Sequence, residues 1–237
     1  MSTYVVSDIH GELEQFKELL QKINFTDNDT LYVLGDVIDR GPHPIKTLQF
    51  LMTFPNIFPL AGNHELMCIE NLQTLMNEIT DEFLDSMNND DYEKLSNWIL
   101  NGGTPTLNEF AKLTSEEKED IIDYLEDEFA AYAKLCVNNQ NYLLLHAGIY
   151  NFSKNKRLDH YSIHDFVWHK PDYTKPYFKD CIVITGHTPT QTIKDNPKPG
   201  YIFRGNGHIA IDCGVHFDNG RIGALCLETG EEFYSRE

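Results

Sequence analysis

Ser7-Asp8-Ile9-His10-Gly11, Gly35-Asp36-Val37-Ile38-Asp39-Arg40-Gly41 and Gly62-Asn63-His64-Glu65 each follow a short apolar run near the start of the chain. The runs, Thr3–Val6, 31–34 and 57–60, read as buried strands. Between the first two, residues 12–23 put Leu13, Phe16, Leu19, Leu20 and Ile23 on one helical face. A second helix is expected over 44–54, with Pro44 acceptable in its first turn. Strand, helix, strand, helix, strand implies parallel pairing, hence an α/β fold. In such sheets the site forms at the carboxyl ends of the strands, where all three motifs lie.

The motifs carry compatible chemistry. Asp8 and His10 stand two apart at a strand end, so in extended chain both side chains point the same way and can reach one ion. Asp36 follows a glycine, and its two oxygens can bridge two ions. Asn63 offers an amide oxygen. Two later apolar runs end in His146-Ala147-Gly148 and Gly186-His187-Thr188-Pro189 and supply imidazoles. Hard oxygens mixed with histidine, without thiolate, suit Mn²⁺, Fe or Zn²⁺ better than Ca²⁺. Two such ions about 3.5–4 Å apart can activate water and clamp a transferring phosphoryl group. Arg40 can grip two phosphate oxygens with its planar fork. His64, beside Asn63, can give a proton to a leaving oxygen, with Asp39 accepting its other N–H and fixing the tautomer.

Residues 66–140 interrupt the alternation. They read as a helical insertion with helices over 66–77, 83–100 and 115–135, in one domain spanning residues 1–237. Thr114 and Glu117 form a capping-box pattern, and Asn101-Gly102-Gly103-Thr104-Pro105 a turn. Strands are expected at 142–145, 181–184, 209–211 and 224–227, with a hairpin signal in Glu228-Thr229-Gly230-Glu231 and a loop over 194–200. Trp98, Phe110, Phe129 and Tyr132 read as insertion core. His43, His160, His164, His169, His208 and His216 read as surface or core residues. Asp212-Cys213-Gly214 either lines the site or makes a structural turn.

The net charge of −18 argues against a general nucleic-acid binder. Residues 66–140 alone carry 17 acidic residues against 4 lysines, so −13. That face is either a solvated helical surface or a dock for basic peptides. Five cysteines without a CxxC pair read as reduced core residues. With no basic leader ahead of Thr3 and no long apolar run, a cytoplasmic protein off the membrane is expected.

Together these residues resemble the phosphoprotein-phosphatase branch of the calcineurin-like metallophosphoesterases, whose pattern is DxH, GDxxDRG, GNHE, a later His-Ala-Gly and GHTP. Small bacterial and phage serine/threonine phosphatases are closest in length. The resemblance implies two mixed β-sheets packed face to face with helices outside. It implies one metal on Asp8, His10 and Asp36, and a second on Asp36, Asn63, His146 and His187. His64 with Asp39 would be the general acid and Arg40 a phosphate ligand. The substrate implied is a phosphoprotein carrying phosphoserine, phosphothreonine or phosphotyrosine, with a small phosphoester, a nucleotide or a dinucleoside tetraphosphate as the alternative. Asp39 and Glu65 lean toward the phosphatase. A scaffold that has lost activity fits poorly with an intact ligand set. One departure stands out: the family's Trp-x-Arg run is Trp168-His169-Lys170 here, so Lys170 takes the place of a second phosphate-binding arginine.

Overall fold

The run Thr3–Val6 forms β1, and Leu13–Lys22 forms α1 with Phe16, Leu19 and Leu20 buried on one face. β2 (Thr30–Val33), α2 (Pro44–Met52) and β3 (Ile57–Pro59) follow within a residue or two of expectation. Then come α3 (Asn63–Ile69), α4 (Leu72–Met76), α5 (Asp81–Ser86), α6 (Asn89–Trp98), α7 (Thr104–Phe110) and α8 (Ser115–Asp127). β4 (Ala133–Val137), β5 (Gln140–Leu145), α9 (His164–Val167) and β6 (Cys181–Thr185) lead to β7 (Phe203–Gly205), β8 (His208–Ala210), β9 (Gly223–Cys226) and β10 (Glu232–Tyr234). This computed structural model describes residues 1–76, 80–194 and 196–236. Asn77, the expected end of the first insertion helix, and Asp195, in the expected loop, lie outside the described residues.

Two five-stranded mixed sheets result, in the orders β10-β9-β1-β2-β3 and β4-β5-β6-β8-β7. β1 runs parallel to β2 and β2 to β3, while β9 returns antiparallel to β1. In the second sheet β5, β6 and β8 are parallel. Alternation along each strand explains the layering. Val5, Leu144, Ile184, Ile209 and Leu225, from both sheets, share one apolar cluster between them. Their neighbours Val6, Val33, Leu143, Leu145 and Val183 point the other way, into the cluster that the helices cover. Stretches buried on both faces must be apolar, and Val5–Val6, Leu143–Leu145 and Val183–Ile184 are. The carboxyl ends of β1, β2, β3, β5, β6 and β8 therefore converge on one edge of the sandwich. No helix among the described residues is long and apolar enough to cross a membrane.

The insertion departs from expectation in four places, one being that Thr104 and Pro105, expected in a turn, begin the additional helix α7. The stretch 66–77 is shared between α3 and α4. The stretch 83–100 breaks at Met87, because the Asn88 side chain accepts the Asp91 N–H (3.0 Å) and starts a new helix. The expected helix over 115–135 begins at its Thr114–Glu117 capping box but ends at Asp127. Residues 133–137 are instead strand, so the helical segment does not reach 140. The cause is a change of period: Lys134 and Cys136 are exposed and alternate with half-buried Ala133, Leu135 and Val137. Cys136 is accordingly a surface cysteine, whereas Cys68, Cys213 and Cys226 are buried. Asn138 and Asn139 then take φ of 48° and 63°, the two left-handed residues that a tight hairpin turn demands.

That turn is testable. Valine at 139 would hold a β-branched side chain at positive φ, at a cost of about 1–2 kcal/mol, whereas glycine adopts it freely. Asn139→Val should lower the urea midpoint and Asn139→Gly should match or exceed the parent. A valine variant as stable as the parent would show that the turn is not left-handed in solution.

Candidate metal centre

The first two motifs lie against each other through their backbones. Asp8 N–H donates to Gly35 O (3.1 Å), His10 N–H to Asp36 O (2.9 Å) and Gly11 N–H to Val37 O (2.8 Å). Asp8 and His10 are not extended, as the sequence suggested. Both are left-handed, at φ 52° and 46°, because β1 stops at Val6 and the chain turns to make these bonds. Asp36, Asp39, Arg40 and His187 are left-handed too, at 53°, 69°, 62° and 60°. Such clustering of sparsely populated backbone states is what functional turns show.

The expected ligands gather around Asp36, which is buried. His146 donates from Nδ1 to Leu34 O (2.6 Å), so its Nε2 presents a lone pair. That nitrogen lies 3.0 Å from Asn63 Oδ1, 3.3 Å from His187 Nδ1 and 3.4 Å from Asp36 Oδ1. His187 Nδ1 is 2.9 Å from Asn63 Oδ1. On the other side, His10 donates from Nδ1 to Ile38 O (3.0 Å) and turns Nε2 toward Asp36 Oδ2, 3.6 Å away. The ligand atoms of Asp36, His146 and His187 lie within 4.8 Å of one another, as do those of His10, Asp36 and His64. Asp8 directs its oxygens to the His187 N–H (3.2 and 3.1 Å) and accepts the Ser7 hydroxyl. The sequence reading grouped Asp8 with His10 and Asp36; Asp8 is close enough to raise the Asp36 carboxyl, and His64 lies within the same reach of His10 and Asp36.

Protonation follows from burial. Burial, then the neighbouring Asp212, pushes the Asp8 carboxyl well up, and burial with Asp8 and Glu65 does the same for Asp36. Burial pulls His10 and His146 well below the usual imidazole range, and burial with the Lys170 charge takes His187 down to about 4. Neutral imidazoles facing carboxylate and amide oxygens form a convergence of acceptors that a cation satisfies. The donor set thus fits divalent metal.

His64 sits at the rim of this set. Its Nδ1 donates to Asp39 Oδ2 at 2.6 Å, and neither side chain is exposed. Trp98 Nε1 donates to the same oxygen (2.8 Å) and Thr106 Oγ1 to the other (2.5 Å). The Arg40 guanidinium, at the mouth, donates from Nη1 to His10 Nε2 and from Nη2 to His64 Nε2, each 2.9 Å. Lys170 is exposed after α9, close enough to lower His187. Beside it, the Trp168 ring lies 6.4 Å from that of His187.

Residues that the sequence left undecided or passed over also line the centre. Buried Asp212, at the end of β8, faces Asp8, and burial raises it to about 6. Its place at a strand end was the available signal. His216, expected as filler, packs its ring 5.6 Å from that of His10. It stands in an irregular loop, with no periodic context to reveal it. Trp98 and Thr106, separated from Asp39 by many residues, gave no sign beyond an apolar helix position.

A family model for calcineurin-like phosphoesterases matches residues 1–212. Among curated proteins, the symmetrical bis(5′-nucleosyl)-tetraphosphatase of Wigglesworthia glossinidia brevipalpis is 36% identical over 104 residues, covering 42% of this chain and 38% of that protein. The namesake enzyme of Proteus mirabilis (strain HI4320) is 32% identical over 102 residues, 42% of this chain and 37% of its own. The matches thus span well under half the length of these relatives. Among solved structures, one provisionally named a diadenosine tetraphosphatase superposes with a TM-score of 0.63 at 17% identity, over 98% of this chain and 92% of that one. At that identity the likeness speaks for the fold alone.

Titration calorimetry with Mn²⁺ or Zn²⁺ should show two ions bound per chain. Asp36→Asn removes the charge central to both ligand groups and should weaken both sites, while His187→Ala should weaken one. Two undiminished sites in Asp36→Asn would remove Asp36 from the shared position.

Proposed function

The chain belongs to the calcineurin-like phosphoesterase family, and on that footing we propose that it is a metal-dependent phosphatase acting on phosphomonoesters, phosphoserine and phosphothreonine of proteins foremost. Two divalent ions, for which we propose manganese, would be held by Asp8, His10 and Asp36 and by Asp36, Asn63, His146 and His187. Bound there, they would polarise phosphate oxygens and acidify the attacking water.

The chain's own groups divide the remaining work. Arg40, at the mouth, binds phosphoryl oxygens through its fork. Lys170 adds a point charge from the His187 side, without the bidentate geometry of an arginine. His64 has Nδ1 committed to Asp39, so any proton it gives must be carried on Nε2; that nitrogen accepts from Arg40 Nη2 here, and it becomes free to take up a proton when Arg40 turns its fork to the phosphoryl oxygens.

That buried His64–Asp39 pair carries the substrate reading. A serine or threonine alkoxide is strongly basic and needs a proton as it leaves. The phosphate chain released from a dinucleoside tetraphosphate is a weak base and needs little help. A built proton donor therefore favours alkyl phosphomonoesters. The names of the curated relatives favour the second reading, a dinucleoside-tetraphosphate hydrolase.

With Mn²⁺ supplied, phosphoserine peptides should be turned over with higher kcat/KM than diadenosine tetraphosphate. The reverse preference would establish the second reading. His64→Asn should cut kcat on phosphoserine by about a hundredfold or more and that on p-nitrophenyl phosphate, whose leaving group is stable as an anion, far less. Lys170→Ala should lower kcat/KM for phosphomonoesters by about ten- to a hundredfold. An alanine variant with unchanged constants would leave Arg40 as the sole side-chain phosphate clamp.

A further inference from the structure

Asp39 is saturated with hydrogen bonds. Its Oδ2 accepts from His64 Nδ1 and Trp98 Nε1, its Oδ1 from Thr106 Oγ1, and its own backbone N–H donates to that same hydroxyl oxygen (3.1 Å). All four side chains are fully buried. Two of the donors belong to the insertion, 59 and 67 residues after the carboxylate they hold.

The chain between those donors is shaped for the contact. Residues Ile99–Gly103 join α6 to α7 through a kink at Gly102, whose backbone is not helical. Gly102, at φ 107°, accepts the Arg40 N–H on its carbonyl (2.9 Å), and a Cβ there would meet Arg40 Cγ at 2.7 Å. A Cβ on Gly103 would meet the Trp98 indole at 2.7 Å. Both glycines allow the turn to close on Asp39-Arg40 while the indole stays seated.

We propose that Trp98 and Thr106 are positioning residues for proton transfer: the insertion fixes the plane of the Asp39 carboxylate and, through it, the orientation of the His64 ring. This rests on reading His64 as the proton donor. A carboxylate has about four lone-pair directions. With Trp98 and Thr106 on two of them, one oxygen is left aimed at His64 Nδ1. Without them the carboxylate can turn about its Cβ–Cγ bond, and His64 Nε2 loses its aim at the leaving oxygen. The insertion is then part of the chemistry as well as a wall beside it.

A merely apolar role for Trp98 makes a different prediction, since packing loss disturbs all substrates alike. Trp98→Phe keeps most of the ring and removes only the N–H donor; Thr106→Val removes the hydroxyl at equal size, and Thr106→Ser restores it. In the Mn²⁺-loaded enzyme, Trp98→Phe and Thr106→Val should each lower kcat on phosphoserine peptide about tenfold, with a loss on p-nitrophenyl phosphate of about threefold or less. Thr106→Ser should recover most of the phosphoserine rate. In the metal-free protein, the His64 Nδ1 proton should resonate far downfield in the parent and move upfield, or vanish into exchange, in Trp98→Phe and Thr106→Val. Equal losses on both substrates with an unmoved resonance would overturn the proposal. If Trp98→Phe does not fold, the Thr106→Val and Thr106→Ser pair decides it. Should His64→Asn show no leaving-group bias, the reading of His64 fails instead, and the resonance still reports whether Trp98 and Thr106 hold the pair.

Discussion

The buried carboxylate of Glu65 holds the two central turns together. It accepts the backbone N–H groups of Asp36, Val37 and Gly62, each at 2.8 Å, and is fully enclosed. Burial raises its pKa, while those same N–H bonds and the neighbouring His64 act to lower it. One side chain thus ties the turn after β2 to the turn after β3 and determines where Asp36 and Asn63 stand. Aspartate, one methylene shorter, could not span the same three donors from the helix α3.

This anchoring makes the strained backbone affordable. Left-handed non-glycine residues cost roughly 1–2 kcal/mol each, and the centre contains several. The bonds from Asp8, His10 and Gly11 to the second motif hold two of them in place. Gly41 shows how tight the arrangement is, since a Cβ there would fall 2.0 Å from His10 O. The ligands are therefore oriented by main chain, on the ends of strands buried on both faces. That rigidity keeps like charges close together despite their mutual repulsion.

Much of this was legible in the sequence because local and global signals agree there. An apolar run followed by a short polar turn marks a strand end, and the first three strands obey that rule. The motif residues, brought together as expected, are named by their chemistry at those ends. What stayed hidden was of two kinds. The switch from helix to strand near Ala133 is short, and its period of two spans only five residues, signalled mainly by Asn138-Asn139. The support of Asp39 depends on Trp98 and Thr106 arriving from an insertion, and nothing local to a tryptophan tells a core indole from one whose N–H has a particular oxygen to meet. Likewise, the left-handed turn at Asp8 and His10 follows from bonds to a distant segment, which extended-chain reasoning cannot include.

The Asp8 carboxylate finds the His187 N–H 179 residues further on. During synthesis, which runs from the N-terminus, most of the chain must emerge before this acid meets its partner. The strands β1, β2 and β3 precede the loop that carries His187, which follows β6, while β9, the partner of β1 in the first sheet, and β10 come later still. The centre is consequently closed by a contact of very long sequence separation, Asp8 to His187, and is a product of the whole fold rather than of its first three strands.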